Sequence, residues 1–134
     1  MTRLAVARSV VLDASALIAA LSRESGESSV RAAGHAFVSA VNYAEVVAYF
    51  DLGGASVEEI IGMMTDVNAD IVPFDADLAI AAGILRKVTM RAGLSLADRA
   101  CLALARKLGV PAMTADRAWA SVASAVGVEI VLIR

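Results

Sequence analysis

The chain is poor in the residues that most often carry enzyme chemistry. It has a single cysteine, Cys101, and a single histidine, His35. One cysteine cannot close an internal disulfide, so a reducing cytoplasm is the expected setting. Cys101 lies among Leu102, Ala105 and Leu108 and reads as a small core residue rather than a nucleophile. No Cys/His spacing suits zinc. A Ser-His-Asp triad would rest on His35 alone, and nothing near it in sequence supports one. Aromatic residues make up only 4% of the chain, so the core must come from Ala, Val, Leu and Ile. That alanine content favours helices packed closely on each other and on a sheet. No apolar run approaches the roughly 20 residues of a membrane span, and no membrane partner is expected. Arg3 and Arg8 precede an apolar stretch, but Asp13 interrupts it and no cleavage site follows. A secretory signal is not expected.

At 134 residues and 59% apolar content, the chain makes one domain, residues 1–134, with a real core. The net charge of −2 conceals an uneven distribution. Residues 1–85 hold eleven acids against four bases. Residues 86–117 hold seven bases (Arg86, Lys87, Arg91, Arg99, Arg106, Lys107, Arg117) against two acids, Asp98 and Asp116. Such a positive segment can guide a polyanion. The same bases can equally be solvated helix faces and C-terminal caps, as Arg106-Lys107 before Gly109 illustrates.

Strand and helix signals alternate along the chain. Ser9–Asp13 reads as a short buried strand, Ala14–Leu21 as a helix, and Ser22–Ser29 as a polar loop. A weak strand at Ala36–Ser39 precedes a helix over Val41–Leu52 that ends at Gly53-Gly54. Ser56-Val57-Glu58-Glu59 has the capping-box spacing and opens a helix to about Val67. Ile71–Phe74 is a third strand. Asp75 caps a helix with Leu78, Ala81, Ala82 and Leu85 at helical spacing, which Gly93 breaks. Leu96–Leu108 is the next helix, stopped by Gly109. A strand at Val110–Thr114, a helix to about Val126 and a strand at Val128–Ile133 follow. Strands separated by helices imply an α/β fold whose central, mainly parallel sheet carries helices on both faces.

Four carboxylates stand out on this frame. Asp13 closes the first strand and Asp116 follows the fourth. Sites in open parallel sheets form beyond the C-terminal strand ends, where the chain reverses direction across the sheet. If those two strands are neighbours, a spacing of about 4.8 Å brings the two acids close. Glu45 belongs to the stripe Val41, Glu45, Ala48, Tyr49 and Leu52, the face expected to meet the sheet. Asp98 begins the stripe Asp98, Cys101, Leu102, Ala105 and Leu108. Each aspartate has an ordinary structural reading: Asp13 and Asp116 as helix N-caps, Asp98 as the acidic partner of Ser95 in a capping motif. Glu45 has no cap to explain it. Clustered like charges repel and raise one another's pKa, a conflict that a hard cation such as Mg²⁺ or Mn²⁺ removes.

Four segments carry a family likeness: Val10-Val11-Leu12-Asp13-Ala14-Ser15-Ala16, Asn42-Tyr43-Ala44-Glu45-Val46, Leu94 through Ala105, and Thr114-Ala115-Asp116-Arg117-Ala118-Trp119. In order, spacing and length they resemble a PIN-domain ribonuclease, specifically the VapC-type toxins of bacterial toxin–antitoxin pairs. The resemblance spans nearly the whole chain. It implies a PIN-like domain with an acidic Mg²⁺ pocket formed by Asp13, Glu45, Asp98 and Asp116, with Ser15 and Thr114 beside it as orienting hydroxyls. It also implies hydrolysis of structured RNA such as tRNA, a homodimer, and a cognate VapB-like antitoxin that inhibits. Arg86, Lys87, Arg91, Arg99 and Arg117 are the expected phosphate contacts. Ala97 departs from the family pattern, which has glycine before the third acid, and this removes no ligand. Three rivals compete. A haloacid-dehalogenase-like phosphatase needs a second Asp where Ser15 stands, and a receiver domain needs an early acidic pair and a late lysine that the chain lacks. A catalytically silent PIN-like module that binds RNA or a partner would use the same acids only as caps.

Overall fold

The structure, a computed structural model, describes residues 8–134, and Arg3 lies outside them. Five short strands, β1 (Val10–Leu12), β2 (Ala36–Ser39), β3 (Ala69–Val72), β4 (Ala112–Thr114) and β5 (Ile130–Leu132), form one sheet in the order β3-β2-β1-β4-β5. Every pairing is parallel, with Val10 opposite Ala36, Val11 opposite Ala112 and Ala112 opposite Ile130. The chain builds outward from β1 to β3, then returns to the other side of β1. The switch point therefore lies between β1 and β4, the two strands that end at Asp13 and Thr114.

Helices cover both faces. They are α1 (Ala14–Leu21), α2 (Glu27–Ala32), α3 (Ala40–Leu52), α4 (Val57–Met64), α5 (Ala76–Ile84), α6 (Arg86–Thr89), α7 (Leu96–Leu108) and α8 (Ala123–Val126). Alternation along the strands divides the core in two. Val10, Leu12, Val38 and Met113 pack with α1 and with Val46 of α3. Val11 and Ala112 pack with α7, with Leu78 and Ala82 of α5, and with Trp119. In α7, Ala97 and the run Ala100–Ala105 are all buried. Its alanines let the helix press closely on α5, α3 and the sheet.

Several boundaries differ from the sequence expectation, each for a physical reason. The polar stretch read as a loop to Ser29 instead starts α2 at Glu27. Gly26 turns the chain there at φ 99°, and Arg31 fixes the short helix by binding Glu27 at 2.8 Å and the Asp66 and Ala20 carbonyls. The third strand is Ala69–Val72 rather than Ile71–Phe74. Pro73 has no N–H to give the ladder, so pairing stops before it. Pro111 likewise delays β4 to Ala112. The helix opened by Ser56 ends at Met64, short of Val67, and β5 is confined to Ile130–Leu132. After Asp116 the chain makes a 3₁₀ turn, Arg117–Val122, before the single turn of α8.

The largest correction concerns α3. The stripe Val41, Glu45, Ala48, Tyr49, Leu52 does not meet the sheet, for Tyr49 is 50% exposed and Leu52 88%. The inward face is Asn42 and Val46, both fully buried. Glu45 therefore sits in solvent-accessible space at the margin of the inner face. Aliphatic and aromatic residues occur on both faces of this helix, so apolar spacing alone selected the wrong one.

Candidate functional site

Asp13 is the centre of the site. It leaves β1 as the N-cap of α1 and is only 5% exposed. Its Oδ1 accepts from the Ala16 N–H at 2.8 Å and from the Ser15 hydroxyl at 2.7 Å. Its Oδ2 accepts from the Thr114 hydroxyl at 2.6 Å, across the β1–β4 junction. Ser15 Oγ in turn accepts from the Ala115 N–H, and Thr114 Oγ1 from the Asp116 N–H. The two hydroxyls thus lock Asp13 to the segment that carries Asp116. A carboxylate has about four lone-pair positions, so three bonds leave one Oδ2 direction for a further ligand.

The other three acids converge unequally. Asp98 is the third residue of α7 and closes a capping box, its Oδ2 accepting from the Ser95 N–H at 2.9 Å. Asp116 caps the 3₁₀ turn through its Oδ1 and the Ala118 N–H at 2.9 Å, and is exposed. All three structural caps weighed for the aspartates therefore exist. Each uses one carboxylate oxygen for its own helix, and each acid stands at the positive end of a helical segment.

Electrostatics links Asp13, Glu45 and Asp98. Burial pushes the Asp13 carboxyl above its usual pKa; its three hydrogen bonds pull the other way, and the Asp98 charge adds to the rise. Glu45 is also raised, first by partial burial, then by Asp98, with Asp13 adding less and the nearby Asn42 amide opposing. Cys101, fully buried beneath them, has its thiol pKa pushed well up, first by burial and then by Asp13 and Asp98. It is the core residue the sequence suggested, not a nucleophile.

Among the described residues, no three His, Cys, Asp or Glu side chains are placed to grip an ion together. The donor set nevertheless fits Mg²⁺ in one particular way. Magnesium keeps several waters and is normally held by one or two carboxylates directly. Asp13 and Asp98 have oxygens to offer, while Glu45 and Asp116 are open enough to act through water.

The basic residues also sort themselves. Arg86, Lys87, Arg91 and Arg117 are exposed. The 3₁₀ turn Met90–Ala92 packs against the one that begins at Arg117, which brings the Arg91 segment beside the end of β4. Arg99 is only partly exposed; its Nη1 donates to the Ala82 carbonyl at 2.8 Å and its Nε is buried without a partner. Asn42 was not singled out by sequence, although it lies within one of the family-like segments. It is a buried amide whose Nδ2 donates to the Ala97 carbonyl at 3.1 Å. His35 lies beyond the opposite strand ends, bonded to Asn68 and Asp70, so no triad forms with it.

The family model described as PIN domain matches residues 10–125. No curated protein matches the chain. Among solved structures, the chain is similar to a toxin–antitoxin complex from Klebsiella pneumoniae, with TM-score 0.72, 17% identity and coverage of 93% of this chain and 98% of that one. It is also similar to VapBC2 from Rickettsia felis bound to a promoter DNA fragment, with TM-score 0.68, 14% identity and coverage of 92% and 98%. VapBC-5 from Mycobacterium tuberculosis gives TM-score 0.62, 23% identity and coverage of 92% and 98%. At these identities the likeness concerns the fold.

Proposed function

This chain belongs to the PIN-domain family, and on that premise we propose that it is a Mg²⁺-dependent endoribonuclease, the toxin of a toxin–antitoxin pair. The observation that carries the reading is the convergence of Asp13, Glu45 and Asp98 at the switch point of a parallel sheet, where burial first and the Asp98 charge in addition raise the Asp13 and Glu45 carboxyls. Asp13 and Asp98 hold the ion, with Mn²⁺ as a substitute; Glu45 and Asp116 complete the pocket, directly or through water. When bound, the cation supplies a more acidic water and neutralises charge building on the phosphoryl group. Ser15 and Thr114 keep Asp13 oriented. Glu45, open to solvent beside Asp13 and Asp98, would act on the ion or on its waters. In-line hydrolysis leaves a 3′-hydroxyl and a 5′-phosphate, and needs no 2′-hydroxyl. Preference for structured RNA, tRNA among its forms, then comes from shape and from Arg86, Lys87, Arg91 and Arg117, with Arg99 offering what its bond to Ala82 leaves free.

The partners follow the same reading. Toxin–antitoxin complexes share the fold, and a VapB-like antitoxin is the proposed inhibitor. Ile80, Ile84 and Val88, at four-residue spacing along α5 and α6, are 61%, 71% and 47% exposed. That stripe supports a homodimer.

A second reading has one observation in its favour, namely that three of the four acids already serve as helix caps. A silent RNA- or partner-binding module would use them only so. The test is an RNA-cleavage assay with Mg²⁺, Mn²⁺ or EDTA on wild type and on Asp13→Asn. Metal-dependent cutting lost in a folded Asp13→Asn protein supports the nuclease. Undiminished cutting by that variant, or no cutting and no Mg²⁺-induced thermal shift in wild type, rejects it.

A further inference from the structure

We propose that Asn42 is a positioning residue that sets Glu45 and the first turn of α7, and hence Asp98, in fixed relation; this rests on the nuclease reading above. Asn42 is fully buried on the inward face of α3, three residues before Glu45. Its Nδ2 crosses to α7 and donates to the carbonyl of Ala97, the residue directly before Asp98, at 3.1 Å. The same amide lies one turn before Glu45 on α3 and favours its charged form, opposing the rise that burial causes. The bond to Ala97 thus ties the helix that carries Glu45 to the helical turn that carries Asp98. No other side chain of α3 is hydrogen-bonded to α7 among the described residues.

The amide oxygen shows that this residue is not there for packing. Asn42 Oδ1 is buried and has no partner. A buried unpaired acceptor is unfavourable, and a leucine of similar shape would avoid it. An aliphatic side chain here would remove the unpaired oxygen and the bond to Ala97 together. The donor bond to Ala97 is what leucine lacks. Val46, one turn on, shows the alternative, being fully buried and purely apolar on the same face. Residues that orient metal ligands characteristically change metal affinity more than they change the fold.

The experiment compares the full chain with Asn42→Leu, Glu45→Gln and the double variant. Mg²⁺ alone is titrated while melting temperature is followed, and RNA cleavage is measured in parallel. The expected result is that Asn42→Leu melts at or above the wild-type temperature without metal. Its Mg²⁺ midpoint should rise roughly 10-fold or more, and kcat should fall by a similar factor while KM for RNA holds. In the Glu45→Gln background the added effect of Asn42→Leu should shrink clearly, because the charge that Asn42 helps to position has been removed. If leucine disturbs the packing, Asn42→Ala gives the same comparison with a small cavity in its place. An unchanged Mg²⁺ midpoint and kcat in either folded variant overturns the proposal, as does strict additivity with Glu45→Gln. A wild-type protein that shows neither a Mg²⁺ shift nor cleavage overturns the nuclease reading itself, and this inference with it.

Discussion

The two ends of the sheet treat charge in opposite ways. Beyond the N-terminal strand ends, charged groups have partners: Arg8 pairs with Glu129 at 2.8 Å, and Asp70 hydrogen-bonds the His35 ring at 2.9 Å. The cavity of about 210 Å³ on that side, lined by Arg31, Asp66 and Asn68 among others, is likewise edged by both signs. Beyond the C-terminal strand ends, Asp13, Glu45, Asp98 and Asp116 gather without one ion pair among the described residues. Hydroxyls, backbone N–H groups and helix ends hold the three aspartates instead. Dipoles of this kind orient a carboxylate without neutralising it. One end of the molecule therefore carries its charges in pairs, and the other leaves its acids without a basic partner among the described residues.

The sharpest way to break that contrast is to remove the central acid. Asp13→Asn keeps the size of the side chain and its acceptor for the Ala16 N–H, but removes the charge. RNA cleavage with Mg²⁺ should fall by at least about 100-fold, beyond the usual effect of losing an outer partner. Circular dichroism should show an intact fold. Thr114→Val comes next. The fully buried Thr114 hydroxyl serves both Asp13 Oδ2 and the Asp116 N–H. Losing it leaves two buried or half-buried groups short of a partner, at a cost of about 1–3 kcal/mol. Urea unfolding measures that loss, and Mg²⁺-dependent activity should drop with it.

How much of this was visible in the residues depends on what each signal reports. Asp13, Asp98 and Asp116 are legible because capping chemistry and strand ends are local; Ser95-Leu96-Ala97-Asp98 forms its capping box as its spacing requires. The neighbouring of β1 and β4 is not local, and the sequence supplied it only as a condition. Glu45 was selected for a wrong reason. Its stripe faces outward, and what ties Glu45 to the site is its proximity to Asp98 and Asn42. Asn42 itself carried no signal, since a buried amide looks like any polar residue on a helix until its partner, Ala97, is known. Helix α2 was missed because Ser28-Ser29 is weak in helix propensity and Arg31, anchored to distant carbonyls, supplies what propensity does not.

The same contrast should appear as a pH dependence in metal-free protein. Burial raises the Asp13 pKa above 3.8, so the folded state binds that proton more tightly than the unfolded chain. Stability from this group is undiminished at acid pH, falls as pH rises from 3.8 through the raised value, and stays lower at neutral pH. Glu45 acts in the same direction from 4.5 upward. Melting curves taken without divalent ions should show a smaller loss between acid and neutral pH for Asp13→Asn than for wild type. Mg²⁺ should offset the loss in wild type by about 2.7 kcal/mol when present at 100 times its Kd, and do little for the variant. A pH response identical in the two proteins would remove Asp13 as a source of the loss.

The smallest effects belong to the other end. Arg8 and Glu129 are both more than half exposed, and an exposed pair of this kind contributes about 0.2–1 kcal/mol. Arg8→Ala should therefore lower the melting temperature slightly and more visibly at low salt, where screening is weak. Asp70→Asn removes the charge facing His35 and should be similarly mild. Neither substitution touches the acids, so Mg²⁺ midpoints and cleavage rates should match wild type. A change in Mg²⁺ response from Arg8→Ala would mean that charge at the two sheet ends is coupled through the strands, and the division drawn here between a paired end and an acidic one would fail. With strands of only three or four residues between them, that is a demanding comparison, and it is best read at two ionic strengths. Coupling through the protein interior survives added salt; coupling through solvent does not.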